Sequence, residues 1–350
     1  METERHTSSD RKIRYAVVGL GRVAQSAVLP AFEHARENSA LVALVSSDPE
    51  KRAALAKRYH VEHVAGYDEL ESVARSVDAV YVAVPNALHR DFAERAAAAG
   101  LHVLCEKPMA TTVEDCEAMI AAARACGVRL MIGYRLHFEP AQLRAFERVW
   151  SGEIGAPVAF SSVFSHAVRQ GDVRTRADLG GGALFDMGVD CIHAARRLFR
   201  DEPLTVQALQ LEGAGGVDEV TVAVLGFAGG RVAQITCHQG AADVSELRIV
   251  GTRGDVRLEP AYDPARRVEA HVTVAGATDT RTSRRDPLAA QIVHFSDAIL
   301  RGEDPEPAGE EGLCDVRVIQ AIRVSARSAR PVRLAPWEHA QRPARERAWA

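Results

Sequence analysis

Asp186, Asp190 and His193 are spaced i, i+4 and i+7, so a regular helix would carry all three on one face. An imidazole placed there works as an acid or base near neutral pH, with the Asp190 carboxylate orienting it or raising its pKa. Asp190 is the alternative proton acceptor, although a carboxyl of ordinary pKa is a poor acid for reducing a carbonyl. The same face offers a divalent ion two carboxylates and an imidazole, but no other residues complete a ligand set and no metal is expected. The plainest alternative is a hydrogen-bonded Asp190–His193 pair joining two domains.

A second constellation is Gly19-Leu20-Gly21-Arg22-Val23-Ala24, which follows the apolar run at residues 13–18 and opens a helix-compatible stretch. Gly19 permits a tight turn, Gly21 lets the backbone approach a pyrophosphate, and Ala24 allows close helix–strand packing. Amide groups at the helix start hold the anion. The next strand ends in Ser46-Ser47-Asp48, with no acid at its tip to accept from a ribose 2′-OH. Ser46 in that place, beside Ser47 and one helical turn before Lys51 and Arg52, favours the 2′-phosphate of NADP. NAD is the alternative, with Asp48 as its ribose contact.

Only four of the 43 Lys and Arg residues are lysines, and one of them, Lys107, lies in Cys105-Glu106-Lys107-Pro108 directly after a strand-like run. In an arginine-rich chain a lysine marks a place where a compact ammonium able to give up its proton is wanted.

These residues need a scaffold, and the apolar pattern supplies one. Strand-like runs at 13–18, 40–46, 79–84, 101–105 and 128–132 alternate with helical stretches at 49–59, 88–99 and 112–126. That alternation predicts an α/β Rossmann domain with a doubly wound parallel sheet over residues 11–131. Beyond it the rhythm changes to a helix near 139–150, a strand near 158–164, a helix through 199, and further strands at 206–211, 217–227, 231–238, 246–250 and 268–274. Helices at 287–300 and 311–329 follow. Residues 132–335 therefore read as an α+β domain with an open, mostly antiparallel sheet covered by helices on one face, and 336–350 as a loose tail.

The 350 residues suffice for two such domains. A hydrophobic share of 47% and a charged share of 26% exclude a disordered chain. A formal charge of −4 without a basic block argues against a nucleic-acid partner. The polar first twelve residues and the lack of a long apolar run predict a cytoplasmic protein with no membrane anchor. Six cysteines without CxxC spacing suit reduced thiols.

Further motifs follow: Val84-Pro85-Asn86-Ala87-Leu88-His89, residues 133–140 (GYRLHFEP), residues 180–190 (GGGALFDMGVD) and residues 247–255 (LRIVGTRGD). With Glu106-Lys107-Pro108, and in this order over roughly residues 11–335, the chain resembles the Gfo/Idh/MocA oxidoreductases, the glucose-fructose oxidoreductase and inositol dehydrogenase family. The resemblance implies hydride transfer at a nicotinamide held between the domains, a sugar or sugar-like polyol substrate, and a homodimer or homotetramer. It makes Lys107 the residue hydrogen-bonded to the substrate oxygen, where an ammonium of lowered pKa stabilises a developing alkoxide. It places Pro85, Asn86, His89, Glu106 and Arg135 along the nicotinamide, and Asp186 against the substrate or Lys107. Typical members carry His or Tyr as acid/base where this chain has Asp190, and those nearest glucose-fructose oxidoreductase carry Asn where it has His193. The loop at 165–178, with His166, Arg169, Arg174 and Arg176, borders the substrate pocket in such enzymes. The expectation is an NADP(H)-dependent sugar dehydrogenase or reductase. Its alternatives are a cofactor-binding sensor that has lost catalysis, and an enzyme for a non-sugar ketone, imine or dihydrodiol.

Overall fold

A run of apolar residues buried on both faces is the signature of a strand inside a parallel sheet. Five such runs and one short edge strand build the first sheet of the computed structural model, which describes residues 11–337 apart from 170, 214, 264–265 and 283–285. They are β1 (Ile13–Val18), β2 (Ser39–Val45), β3 (His63–Ala65), β4 (Ala79–Val82), β5 (His102–Glu106) and β6 (Leu130–Gly133). All neighbours are parallel, in the order β3-β2-β1-β4-β5-β6. The order reverses between β1 and β4, and ligands of open α/β sheets bind at that switch, beyond the carboxyl ends of the strands.

Four helices cross between these strands or flank them: α1 (Leu29–His34), α2 (Pro49–Tyr59), α3 (His89–Ala98) and α4 (Val113–Ala125). Their starts are legible in the chain. Asp48 accepts the Lys51 N–H at 2.9 Å with Pro49 as the first residue of α2, and Thr112 accepts the Asp115 N–H at 3.1 Å at the start of α4.

The second sheet has nine strands: β7 (Pro157–His166), β8 (Thr205–Glu212), β9 (Asp218–Gly226), β10 (Val232–Gln239), β11 (Val244–Gly251), β12 (Gly254–Leu258), β13 (Glu269–Val274), β14 (Ala277–Thr282) and β15 (Val332–Arg333). Its order is β14-β13-β12-β11-β7-β10-β9-β8-β15, and every described pair is antiparallel except β7 with β10. The α/β plus α+β architecture is the one expected. β3, β12, β14 and β15 escape sequence reading because none carries an apolar run longer than two residues.

Helices α5 (Pro140–Trp150), α6 (Val189–Phe199), α7 (Pro287–Arg301) and α8 (Gly309–Ser328) complete the chain. One helix from residues 132–335 joins the core of the first sheet. Leu288, Ile292 and Phe295 of α7 pack with Ile13, Tyr15 and Leu44 of the first sheet. The Ser296 hydroxyl meets Tyr15 Oη at 2.7 Å and Ser39 Oγ at 2.8 Å. Burying the apolar stripe of α7 against β1 and β2 covers a sheet face that the six-residue α1 is too short to close. The expected tail lies outside the described residues from 338 onward.

Two short π-helical turns, Ala24–Val28 and Leu184–Gly188, interrupt stretches that read as plain α-helix. Each sits directly after a glycine-bearing loop, where the site is built.

Candidate active site

The loops that leave β4, β5 and β6 meet the glycine loop and α6 of the second domain, and the turn after β1 lies against the residues that follow β4. After β1, Gly19 holds φ +94°, and a Cβ there would lie 2.5 Å from the Ala83 carbonyl oxygen, so only glycine fits. Gly21 differs: a Cβ would meet no protein atom within 4 Å, and Arg22 and Val23 beside it are exposed. This open, amide-lined turn fits the pyrophosphate of a dinucleotide. Ala24 is fully buried, as close helix–strand packing requires.

At the tip of β2 the cations are in place. Arg52 donates to the Ser46 carbonyl at 2.8 Å, and Lys51 Nζ pairs with Asp48 at 3.1 Å. Asp48 caps α2, so its carboxylate is occupied by the helix and by Lys51, which hold its pKa below the usual carboxylate range. Ser46 departs from expectation: it is buried, and its hydroxyl accepts the Asp48 N–H at 3.3 Å. Ser47 is the exposed hydroxyl at this tip.

His89 is also corrected. Its ring is fully buried, Nδ1 facing the Pro108 carbonyl at 2.9 Å and Nε2 the Val84 carbonyl at 3.0 Å. The imidazole ties the loop after β4 to the loop after β5, both ring nitrogens facing main-chain carbonyls. Burial pushes its pKa down. Asn86, next to the half-buried Pro85, donates its side-chain amide to the Gly180 carbonyl at 2.8 Å, linking the first domain to the glycine loop of the second. Arg135 reaches the Tyr262 carbonyl.

Glu106 accepts from the Tyr81 hydroxyl at 2.7 Å, and the Gln291 amide donates to Tyr81 at 3.2 Å. Burial raises the Glu106 carboxyl above its ordinary value. Sequence reading missed Tyr81 and Gln291. Tyr81, the one residue with a polar group in the strand Ala-Val-Tyr-Val, carried a faint signal, whereas Gln291 lies some two hundred residues away in α7.

Lys107 is the centre of the site. Its Nζ donates to the Asp186 main-chain carbonyl at 2.6 Å and lies 2.9 Å from Asp190 Oδ2. The receiving carbonyl belongs to the π turn, whose loosened ladder leaves oxygens open to outside donors. Burial opposes the ammonium, but Asp190 and Asp186 outweigh it and raise the Lys107 pKa above the ordinary lysine value, against the lowering expected. Lys107 in this state is a fixed cation.

The Asp186 carboxylate turns to the other side. Oδ2 lies 3.0 Å from His166 Nε2 and 2.8 Å from Arg174 Nε, and Arg174 also pairs with Asp172 at 3.2 Å. Although burial works against the anion, these cations and Lys107 hold its pKa well below the carboxylate range. Of the loop cations foreseen near the pocket, His166 and Arg174 converge here, while Arg169 and Arg176 are exposed.

The shared helix face is not realised for His193. Asp190 and His193 are three residues apart, about 60° around a helix of 3.6 residues per turn. His193 Nδ1 bonds Asp315 of α8 at 3.0 Å, its ring stacks on Tyr134 at 3.8 Å, and only 6% of the residue is exposed. Asp315 also takes the Arg196 guanidinium. His193 is therefore a buried strut between α6, α8 and the loop after β6. It is neither the partner of Asp190 nor a ligand beside Asp186.

A dinucleotide turn at the switch point and an ammonium at the facing cleft define a nicotinamide-dependent oxidoreductase. Residues 13–134 match the family model described as an oxidoreductase family with an NAD-binding Rossmann fold, and residues 143–257 match the GFO/IDH/MocA C-terminal domain. The chain belongs to the Gfo/Idh/MocA oxidoreductases. It is 32% identical to the D-xylose 1-dehydrogenase [NADP(+)] of Haloarcula marismortui, over 95% of this chain and 96% of that one. Among solved structures, the aldose-aldose oxidoreductase of Caulobacter crescentus complexed with glycerol superposes with a TM-score of 0.89 at 36% identity, covering 93% of this chain and 100% of that one. The 3-ketoreductase KijD10 of Actinomadura kijaniata, in complex with NADP and TDP-benzene, superposes with a TM-score of 0.84 at 30% identity, covering 90% and 98%. This chain is thus an NAD(P)-dependent dehydrogenase or reductase, as its motifs implied.

Proposed function

We propose that the chain transfers hydride between NADP(H) and a hydroxyl or carbonyl carbon of a sugar or sugar-like polyol. The observation that carries this reading is Lys107 Nζ, held by the Asp186 carbonyl and Asp190 at the carboxyl end of β5. Three tetrahedral donors with two directions taken leave one for a substrate oxygen, where a fixed ammonium stabilises alkoxide character. Asp190 serves as its counter-ion and Asp186 as its positioning group. The Gly19–Ala24 turn would hold the pyrophosphate, Glu106 and Arg135 would border the nicotinamide, and Ser47, Lys51 and Arg52 would receive the 2′-phosphate. The bound nicotinamide supplies the hydride. The NADP-named xylose dehydrogenase and the NADP-bound ketoreductase support the choice of cofactor and of substrate class.

The second sheet supports a homo-oligomer. Its face away from the helices exposes Val163, Leu209, Val224, Val232 and Val250, which the strand registers bring to one side. A cytoplasmic location fits the absence, among the described residues, of any helix long and apolar enough to cross a membrane.

The test is NADP+ reduction with a panel of aldoses, ketoses and polyols that includes D-xylose. Turnover of at least one sugar is expected. Tight NADPH binding with no turnover across the panel would instead favour the sensor.

A further inference from the structure

Proton transfer needs a group that both faces the cleft and carries an exchangeable proton. Asp190 is taken up by Lys107 on its Oδ2, and only 8% of its side chain is exposed. His193 is bonded to Asp315 and buried under Tyr134. Lys107 is held as an ammonium between two aspartates. Among the described residues, the imidazole that converges on this cluster is His166.

His166 ends β7, and its backbone is fixed in the ladder, its carbonyl accepting the Gly240 N–H at 3.1 Å. Its ring lies edge-on to Phe164, with centroids 6.1 Å apart. Nε2 is held 3.0 Å from Asp186 Oδ2, and 31% of the side chain remains exposed. Lys107 and His166 thus grip the same residue, one at its main-chain oxygen and the other at its carboxylate. The other charge that acts on this ring is Arg174, backed by Asp172, while the Lys107–Asp190 pair reaches the cluster through the Asp186 main-chain carbonyl.

We propose that His166, oriented by Asp186, exchanges the proton with the substrate oxygen, in place of the side chain that Asp190 has replaced. The inference rests on the sugar oxidoreductase reading above. In the reducing direction the cofactor's hydride adds to the carbonyl carbon and the C=O π pair moves to oxygen. That oxygen takes the Nδ1 proton of the imidazolium, leaving a neutral imidazole whose Nε2–H still bonds Asp186 and whose Nδ1 regains its proton from solvent. Oxidation reverses each movement. The bond to Asp186 raises the pKa of His166, so the ring is more often charged near neutral pH than a free imidazole.

His166→Gln separates this role from a structural one, because glutamine still offers Asp186 an N–H but cannot exchange a proton. With the panel sugar that the wild type turns over best, the variant is expected to lose roughly 100-fold or more of kcat and the histidine limb of the pH profile. NADPH affinity, followed by fluorescence, should stay within about twofold. An imidazole NMR titration of the free protein should place the His166 midpoint above the ordinary value and lower it in Asp186→Asn. A His166→Gln enzyme with wild-type kcat and pH profile, or a His166 midpoint at or below the ordinary value, overturns the inference alone. A wild type that binds NADPH and turns over no sugar overturns the parent reading, and this one with it.

Discussion

Asp190 Oδ2 lies 2.9 Å from Lys107 Nζ, and the two side chains are 8% and 20% exposed. The position that in relatives of this family carries a His or Tyr acid/base is here occupied by the counter-ion of the lysine. The carboxylate there pairs with the ammonium, where an imidazole or phenol would offer a proton.

Lys107→Met should reduce turnover by about 100-fold or more while NADPH binding, measured by fluorescence, changes little. Asp190→Asn tests the pair by urea denaturation. Losing one partner of a buried pair costs about 3–5 kcal/mol, and the partial exposure of Lys107 lowers the expectation to about 1–3 kcal/mol. Because the folded pKa of Lys107 is raised, this contribution is fully present below its unfolded value of about 10.4 and fades only as pH climbs through the higher folded value.

The two glycines of the dinucleotide turn should respond differently to alanine. Gly19→Ala forces a Cβ onto the Ala83 carbonyl at a positive φ, so the melting temperature should fall by several degrees, about 1–3 kcal/mol of strain. Gly21→Ala meets open space in the protein and should fold normally, yet weaken NADPH binding at least about tenfold because the methyl occupies the pyrophosphate's approach. Equal affinities for Gly21→Ala and wild type would remove the turn from the cofactor site.

Arg52→Ala should raise the NADPH dissociation constant about tenfold while leaving that of NADH nearly unchanged, since only the 2′-phosphate differs. Parallel fluorescence titrations decide it. An equal loss for both cofactors would show that the Arg52 bond to the Ser46 carbonyl shapes the loop without reading the phosphate.

Two histidines should give stability slopes of opposite sign in thermal melts run against pH. His166 has a raised folded pKa, so its contribution is present below the unfolded value of about 6.5 and is lost as pH rises through the folded one. His89 has a lowered folded pKa, so the unfolded chain binds the proton first and stability falls as pH drops below about 6.5. Asp186→Asn should flatten the first slope and leave the second. His89→Leu should abolish the second and cost about 1–3 kcal/mol by leaving a buried loop carbonyl without its donor.

Much of the fold was readable because local rules carry it. Alternating apolar runs and helices dictate a doubly wound sheet, and Asp48-Pro49 and Thr112 start α2 and α4 through contacts within a few residues. Gly19 declares its tight turn by steric necessity, and Lys107 stands in a motif specific enough to name its family. The sequence also shows that Asp190 departs from the usual acid/base, because residue type alone states that.

Tertiary structure decided the partners. His193 left the cleft because Asp315, more than a hundred residues later, offers a buried carboxylate and Tyr134 a stacking face. His89 turned inward because two loops from separate strands present carbonyls on either side of it. Lys107 gained a raised pKa, contrary to a lone buried ammonium, because α6 brings Asp190 within 2.9 Å. Helical spacing assigns a residue to a face only while the helix is regular, and the π turn at Leu184–Gly188 breaks that regularity where the site is assembled. Sequence thus determined which chemical groups the protein has and the strands that carry them, whereas through-space contacts determined which group each one neutralises, since Coulomb and hydrogen-bond energies depend on distances that no spacing along the chain encodes.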